Sequence, residues 1–75
     1  MSSFIVGVKM LEKYKSNLKE LRLDAGLTLD ELAEATGLGK RTIITIENDA
    51  GANPSVGTVK RLLAYFEISF EELYP

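Results

Sequence analysis

Residues Thr28 to Glu47 read TLDELAEATGLGKRTIITIE, and this stretch decides the fold. Two short helical patterns lie on either side of a glycine. Leu32, Ala33 and Thr36 recur at the spacing of one helix face, and Ile43 with Ile46 does the same after the glycine. Thr28 followed by Glu31 is a capping-box pattern, in which side chain and backbone satisfy each other at a helix start. Asp30 and Glu31 also suit the positive end of that helix's dipole. Gly37 reaches positive φ without a steric cost, so it ends the first helix, and Leu38 turns back toward the core. Ala33 is small enough for two helices to cross closely. The spacing predicts helices over about Leu29–Thr36 and from Lys40 to Glu47 or Asn48.

Two helices joined by so short a turn make a helix-turn-helix unit, residues 28–48, whose functional reading is DNA binding. In its second helix Ile43 and Ile46 face inward, while Lys40, Arg41, Ile44 and Thr45 fall on the opposite side. Ile44 and Thr45 are β-branched and weak helix formers, so burial of the inward face must hold this helix. Leu29 falls on the polar side by periodicity and is expected to be exposed.

Toward the N-terminus, Met10, Leu11, Tyr14, Leu18, Leu21 and Ala25 recur at steps of three and four, predicting a helix from Lys9 or Met10 to Asp24. Gly26 ends it and Leu27 returns inward. Phe4, Ile5, Val6 and Val8 form a β-prone run interrupted by Gly7, so residues 1–8 are read as an arm. The arm either lies against its own domain, frays into the first helix, or pairs as a strand with a second subunit. Toward the C-terminus, NDAGANP (residues 48–54) is a loop. Ser55 caps a helix over Val56–Phe66 whose inward stripe is Val59, Leu62, Leu63 and Phe66. Ser69 and Glu72 form a second capping box before a last turn with Phe70, Leu73 and Tyr74 as its apolar side. Residues 9–75 therefore read as one compact all-α domain, a helical bundle with short connections.

Composition narrows the chemistry. A chain of 75 residues makes one small domain, and with no cysteine and no histidine it has neither a disulfide nor a thiolate nucleophile. No carboxylates are spaced like a calcium loop, no nucleophile is paired with a base, and no phosphate-binding loop occurs, so neither an enzyme nor a metal or other cofactor is expected. No apolar run spans a membrane, and MSSFIVGVKML lacks a basic start and a small-residue cleavage site, so a cytoplasmic protein is expected. The net charge is −2, but residues 1–45 carry seven Lys or Arg against six acids, while the remainder carries two against five. A weak positive bias in the helix-turn-helix half predicts weak non-specific affinity for DNA.

At this point the residues resemble the lambda-repressor-like family, in its Xre/Cro-type branch. The resemblance covers Leu18 to Leu73: LKELR at 18–22, AGLT at 25–28, ELA at 31–33, GL at 37–38, TI at 42–43, IEN at 46–48, NPS at 53–55, and IS with FEEL from Ile68 to Leu73. Each fragment alone is weak, whereas their order and spacing are specific. The resemblance implies a five-helix, cytoplasmic, sequence-specific DNA-binding regulator, typically a homodimeric repressor on an inverted repeat. It implies base contacts from Lys40, Arg41, Ile44 and Thr45, and an ion pair between Arg22 and an acid, for which Glu47 is the candidate. Phosphate-backbone contacts are expected at Thr28, Gly39 and Thr42, and at the backbone N–H groups of Ala50 and Gly51. Arg41 suits a bidentate bond to guanine, Ile44 a thymine methyl, and Thr45 offers both a hydroxyl and a methyl. The bland reading of Lys40 and Arg41 is a solvated helix start.

Three positions depart from the family pattern. Leu29 stands where glutamine is common, Gly39 where a capping serine is common, and the loop after the third helix carries Asp49 instead of a basic residue. These departures motivate a second reading: a protein-interaction or antitoxin-like module with weak DNA binding, docking through exposed Leu29 and Ile44. Either reading accommodates a dimer, with Phe4, Val6, Phe70 and Tyr74 as candidate interface residues. The alternative is that the aromatics close the monomer's own core, which is the reading preferred for Phe66 and Phe70.

Overall fold

The structure, a computed structural model, describes residues 15–49 and 52–75. Five helices follow one another among them: α1 (Leu18–Asp24), α2 (Leu29–Thr36), α3 (Lys40–Asn48), α4 (Val56–Phe66) and α5 (Phe70–Leu73). No strand occurs among the described residues. The arm with Phe4 and Val6, most of the predicted start of the first helix, and Ala50 and Gly51 lie outside them.

The core draws on every helix. Leu18, Leu32, Ile43, Ile46, Leu62 and Leu73 are each no more than 2% exposed. Leu21, Leu27, Ala33, Leu38, Val59, Leu63, Phe66 and Ile68 pack around them. The helical ones among these are the positions that helical spacing assigns inward, and α2 contacts both α3 and α4.

Three expectations are corrected. The first helix does not run unbroken from residue 9 or 10, because Lys15 to Asn17 are not helical. The Ser16 hydroxyl accepts from the Leu18 N–H at 3.3 Å and donates to the Ile46 carbonyl at 2.8 Å. The Asn17 N–H donates to the Leu73 carbonyl at 2.7 Å. Polar groups here serve tertiary partners instead of a helical ladder, a competition that apolar periodicity does not register. Leu29 is the second correction: it is half-buried and packs against the core. As the first residue of α2 it leans over the turn before the helix, where Leu27 also enters. Phe70 is the third: it is 48% exposed, although a place in the core was preferred for it. A helix of four residues buries one narrow face, and Leu73 occupies it.

The C-terminal boundary of α4 falls at Glu67, which takes the left-handed conformation with φ 54° in place of the usual glycine. After it, the Glu72 carboxylate accepts from the backbone N–H of Ser69 at 3.1 Å and fixes the start of α5.

Candidate nucleic-acid interface

The geometry of the turn between α2 and α3 is fixed from both ends. At the start of α2, the Thr28 hydroxyl accepts from the Glu31 N–H at 3.1 Å while the Glu31 carboxylate accepts from the Thr28 N–H at 2.8 Å. The capping box is therefore complete, and the hydroxyl hydrogen of exposed Thr28 remains available to an outside acceptor. At the other end, Gly37 adopts φ 75° and its N–H donates to the Ala33 carbonyl at 2.9 Å. The buried Thr36 hydroxyl donates to the Leu32 carbonyl at 2.8 Å and accepts from the Leu38 N–H at 3.3 Å. Arg61 reaches over from α4 and donates to the Thr36 carbonyl at 3.1 Å, placing a cation at the negative end of the α2 dipole.

The chain then enters α3 through Gly39, extended at φ −72° and ψ 144°, with no side chain to accept from the first-turn N–H groups. Among the described residues, no side chain caps those donors at the head of the helix. Rotation of α3 about its own axis is set by what it buries. Ile43 and Ile46 enter the core, and Glu47, only 4% exposed, receives Arg22 from α1. Arg22 Nε lies 2.7 Å from Glu47 Oε2 and its Nη2 lies 3.3 Å from Oε1, a two-pronged ion pair. Arg22 Nη1 also donates to the Leu27 carbonyl at 2.9 Å, so the same side chain fixes the turn leading into α2. The Glu47 hydrogen bonds hold the guanidinium pKa above its usual value, against the opposing effect of burial.

With that face committed, the other side of α3 faces outward. Lys40, Arg41, Thr42, Ile44 and Thr45 are all exposed, Ile44 at 37%. Arg41, Ile44 and Thr45 follow helical spacing and share one face. Asn48 continues that face and donates from Nδ2 to the Ile44 carbonyl at 3.0 Å. Arg41, Thr42 and Thr45 also line a shallow groove of about 300 Å³ closed on the far side by Ala52, Asn53 and Pro54. Lys40 Nζ, from the first residue of α3, lies 3.2 Å from Oδ1 of Asp30 in the first turn of α2. Thr28, Gly39, Lys40 and Arg41, at the starts of the two helices, are all exposed. Such an arrangement favours anionic groups.

The candidate dimer residues of the C-terminal end lie elsewhere. Phe70 stacks on Tyr74 with ring centroids 5.4 Å apart. The Tyr74 hydroxyl is buried and has no hydrogen-bond partner among the described residues, and burial raises its pKa. Tyr65, 40% exposed, meets Phe66 edge-on at 5.0 Å.

Sequence reasoning named Arg22 and Glu47 but missed Ser16, Arg61 and the pairing of Asp30 with Lys40. Arg61 carried no local signal, since its partner is a carbonyl 25 positions away. Asp30 read as a dipole residue at a helix start, and only the tertiary turn reveals its neighbour. Among the described residues, no group of three or more acidic, His or Cys side chains is placed to hold a metal ion. Nor is any helix among them long and apolar enough to cross a membrane.

Comparison with known proteins agrees with this geometry. A family described as Helix-turn-helix matches residues 18–73. An uncharacterized HTH-type transcriptional regulator, RghRB of Bacillus subtilis, is 33% identical over 63 residues, covering 84% of this chain and 45% of the relative. The HTH-type transcriptional regulators SinR of Bacillus subtilis and of Bacillus licheniformis are each 32% identical over 56 residues, covering 75% of this chain and 50% of theirs. The chain spans about half the length of these curated relatives. No solved structure matches it significantly.

Proposed function

The chain belongs to the helix-turn-helix family, in its Xre/Cro-type branch, and on that premise we propose that it is a sequence-specific double-stranded DNA-binding transcriptional regulator. The observation that carries this reading is the rotation of α3. Ile43, Ile46 and Glu47 are locked inward, so Arg41, Ile44 and Thr45 project together from an exposed helix whose head is open to anions. A helix presented this way enters the major groove with its N-terminal residues at base edges.

In this reading residues 9–75 are the DNA-binding domain, with 28–48 as its reading unit and 1–8 as an arm. Arg41 holds guanine through O6 and N7, and Lys40 meets guanine or a phosphate. Ile44 packs against a thymine methyl, and Thr45 supplies a hydroxyl and a methyl. Thr28, Gly39, Thr42, Ala50 and Gly51 meet the phosphate backbone, the first through the hydroxyl hydrogen that its capping box leaves over. The protein acts in the cytoplasm as a homodimeric repressor on an inverted repeat, with half-sites about 34 Å apart or a multiple of that. Phe70 and Tyr74 are the C-terminal candidates for the dimer surface, and Phe4 and Val6 those of the arm. The relatives' names as transcriptional regulators support the regulatory role.

The alternative docking module draws on a joint Leu29–Ile44 patch, and half-buried Leu29 leaves Ile44 without that companion. Selection of bound DNA from a random duplex pool, followed by affinity against salt, tests the regulator reading. An enriched inverted repeat bound at least about a thousandfold above random DNA is the expected result. Weak, salt-sensitive binding with no enriched sequence refutes it and favours the docking module.

A further inference from the structure

We propose that Asp30 is an internal electrostatic competitor for Lys40, holding down the affinity of the reading surface for DNA; this rests on the regulator reading above. Lys40 and Asp30 approach to 3.2 Å at the point where α2 and α3 begin, and their side chains are 51% and 78% exposed. The pair is therefore not part of the packing that holds the fold, and exposed pairs of this kind are weak. It does sit at the head of α3, among the exposed groups to which a phosphate or base edge would come. Lys40 can meet DNA only by giving up Asp30 or by carrying it along. In the first case the pair is lost, and in the second a carboxylate is brought against the polyanion.

The neighbouring acids do not share this role. The Glu31 carboxylate is taken by the backbone N–H of Thr28 within the capping box, and Glu47 is buried against Arg22. Asp30 is thus a carboxylate whose partner is itself a candidate DNA contact. The chain carries nine Lys and Arg in all against 11 acids, so discounting one cation on the reading surface is a substantial fraction of its attraction. The consequence is a surface with low tolerance for random DNA, on which uncharged contacts from Ile44 and Thr45 weigh more.

Asp30→Asn keeps the side chain's size and removes its charge. Binding of a random-sequence duplex to the parent and the variant is measured from about 50 to 200 mM salt, with thermal melting as the check that both are folded. Neutralising one charge changes the effective count of phosphate contacts by about one, which alters the slope of log affinity against log salt by about 0.9. The expected result is a gain of about three- to tenfold per protomer at 50 mM, roughly threefold smaller at 200 mM. The same substitution in a Lys40→Gln background is expected to give less than half that gain on a logarithmic scale. An unchanged or reduced affinity for Asp30→Asn overturns the proposal, as does an equal gain in the Lys40→Gln background, which would make Asp30 a general repulsive charge. Failure of the parent to bind any duplex at 50 mM refutes the regulator reading itself, and the competitor role falls with it. Normal parental binding without the Asp30 response refutes the competitor alone.

Discussion

Replacing Glu47 by leucine should remove about 3–5 kcal/mol of folding stability, the range for breaking a buried pair from one side. The structure supplies the reasons for a value in that range. Glu47 accepts from Arg22 at 2.7 and 3.3 Å, and Arg22 itself is 8% exposed. Each charge-assisted bond contributes about 1.5–3 kcal/mol. The remaining Leu27 carbonyl satisfies one prong of the guanidinium and leaves the others in a largely buried site. A domain of 75 residues has a total stability of roughly 4–11 kcal/mol, so the variant should lose a large part of it. Urea unfolding followed by far-ultraviolet circular dichroism measures the loss. The double variant Arg22→Met with Glu47→Leu should recover most of it, because the stranded charge is gone and the space is filled. A loss below about 1 kcal/mol for the single variant would refute the reasoning. Such a result would mean that water reaches the guanidinium and that the pair does not set the rotation of α3.

Arg41→Ala should cost about 1–3 kcal/mol of binding to the preferred duplex per protomer and relax one base position, read by repeating the selection; a uniform loss with a smaller salt slope would assign Arg41 to a phosphate. Gly39→Ser should stabilise the domain by roughly 0.5–1 kcal/mol, because an added Cβ meets only Thr42 Oγ1 at 3.7 Å and the hydroxyl caps α3; an unchanged melting temperature would show that no cap forms. Tyr74→Phe should be neutral or stabilising, since the hydroxyl is buried without a partner among the described residues. Tyr74 also carries a raised folded-state pKa, so its contribution holds below the unfolded value of about 10 and is lost as pH climbs toward the folded value. Urea midpoints taken on either side of pH 10 should therefore fall less in Tyr74→Phe than in the parent, and equal falls would count against the burial of the hydroxyl.

Local patterns gave away the elements whose causes are local. The Thr28 capping box, the Gly37 turn, and the inward spacing of Leu32, Ile43, Ile46 and Leu62 all depend on neighbours a few positions apart. The exposed face of α3 follows from the same spacing, so the place of Arg41, Ile44 and Thr45 was legible as a face, though not their roles. What escaped depends on distant partners. Ser16 and Asn17 make α1 begin later than its spacing suggests, because the Ile46 and Leu73 carbonyls recruit them. Leu29 counts as polar-side on a wheel, yet a residue at the first helical position packs over the preceding turn. Phe70 looks like core by its type, but a four-residue helix has space inside for Leu73 alone. Asp30 found Lys40 only because the turn between α2 and α3 sets two helix starts side by side.

The bond from the Asn17 N–H to the Leu73 carbonyl has a temporal meaning during synthesis. Asn17 leaves the ribosome early, whereas its acceptor belongs to the last helical residue of the domain. Leu18, next to Asn17, and Leu73 are both fully buried in the same core. A nascent chain stopped before residue 73 therefore has α1 without its closing partner and a core with one wall missing. Helix α3 emerges well before that point, but the core that buries Ile43 and Ile46 lacks Leu62 and Leu73 until α4 and α5 have followed. Such a domain completes the core that fixes the rotation of α3 only once the turn carrying Leu73 has joined it.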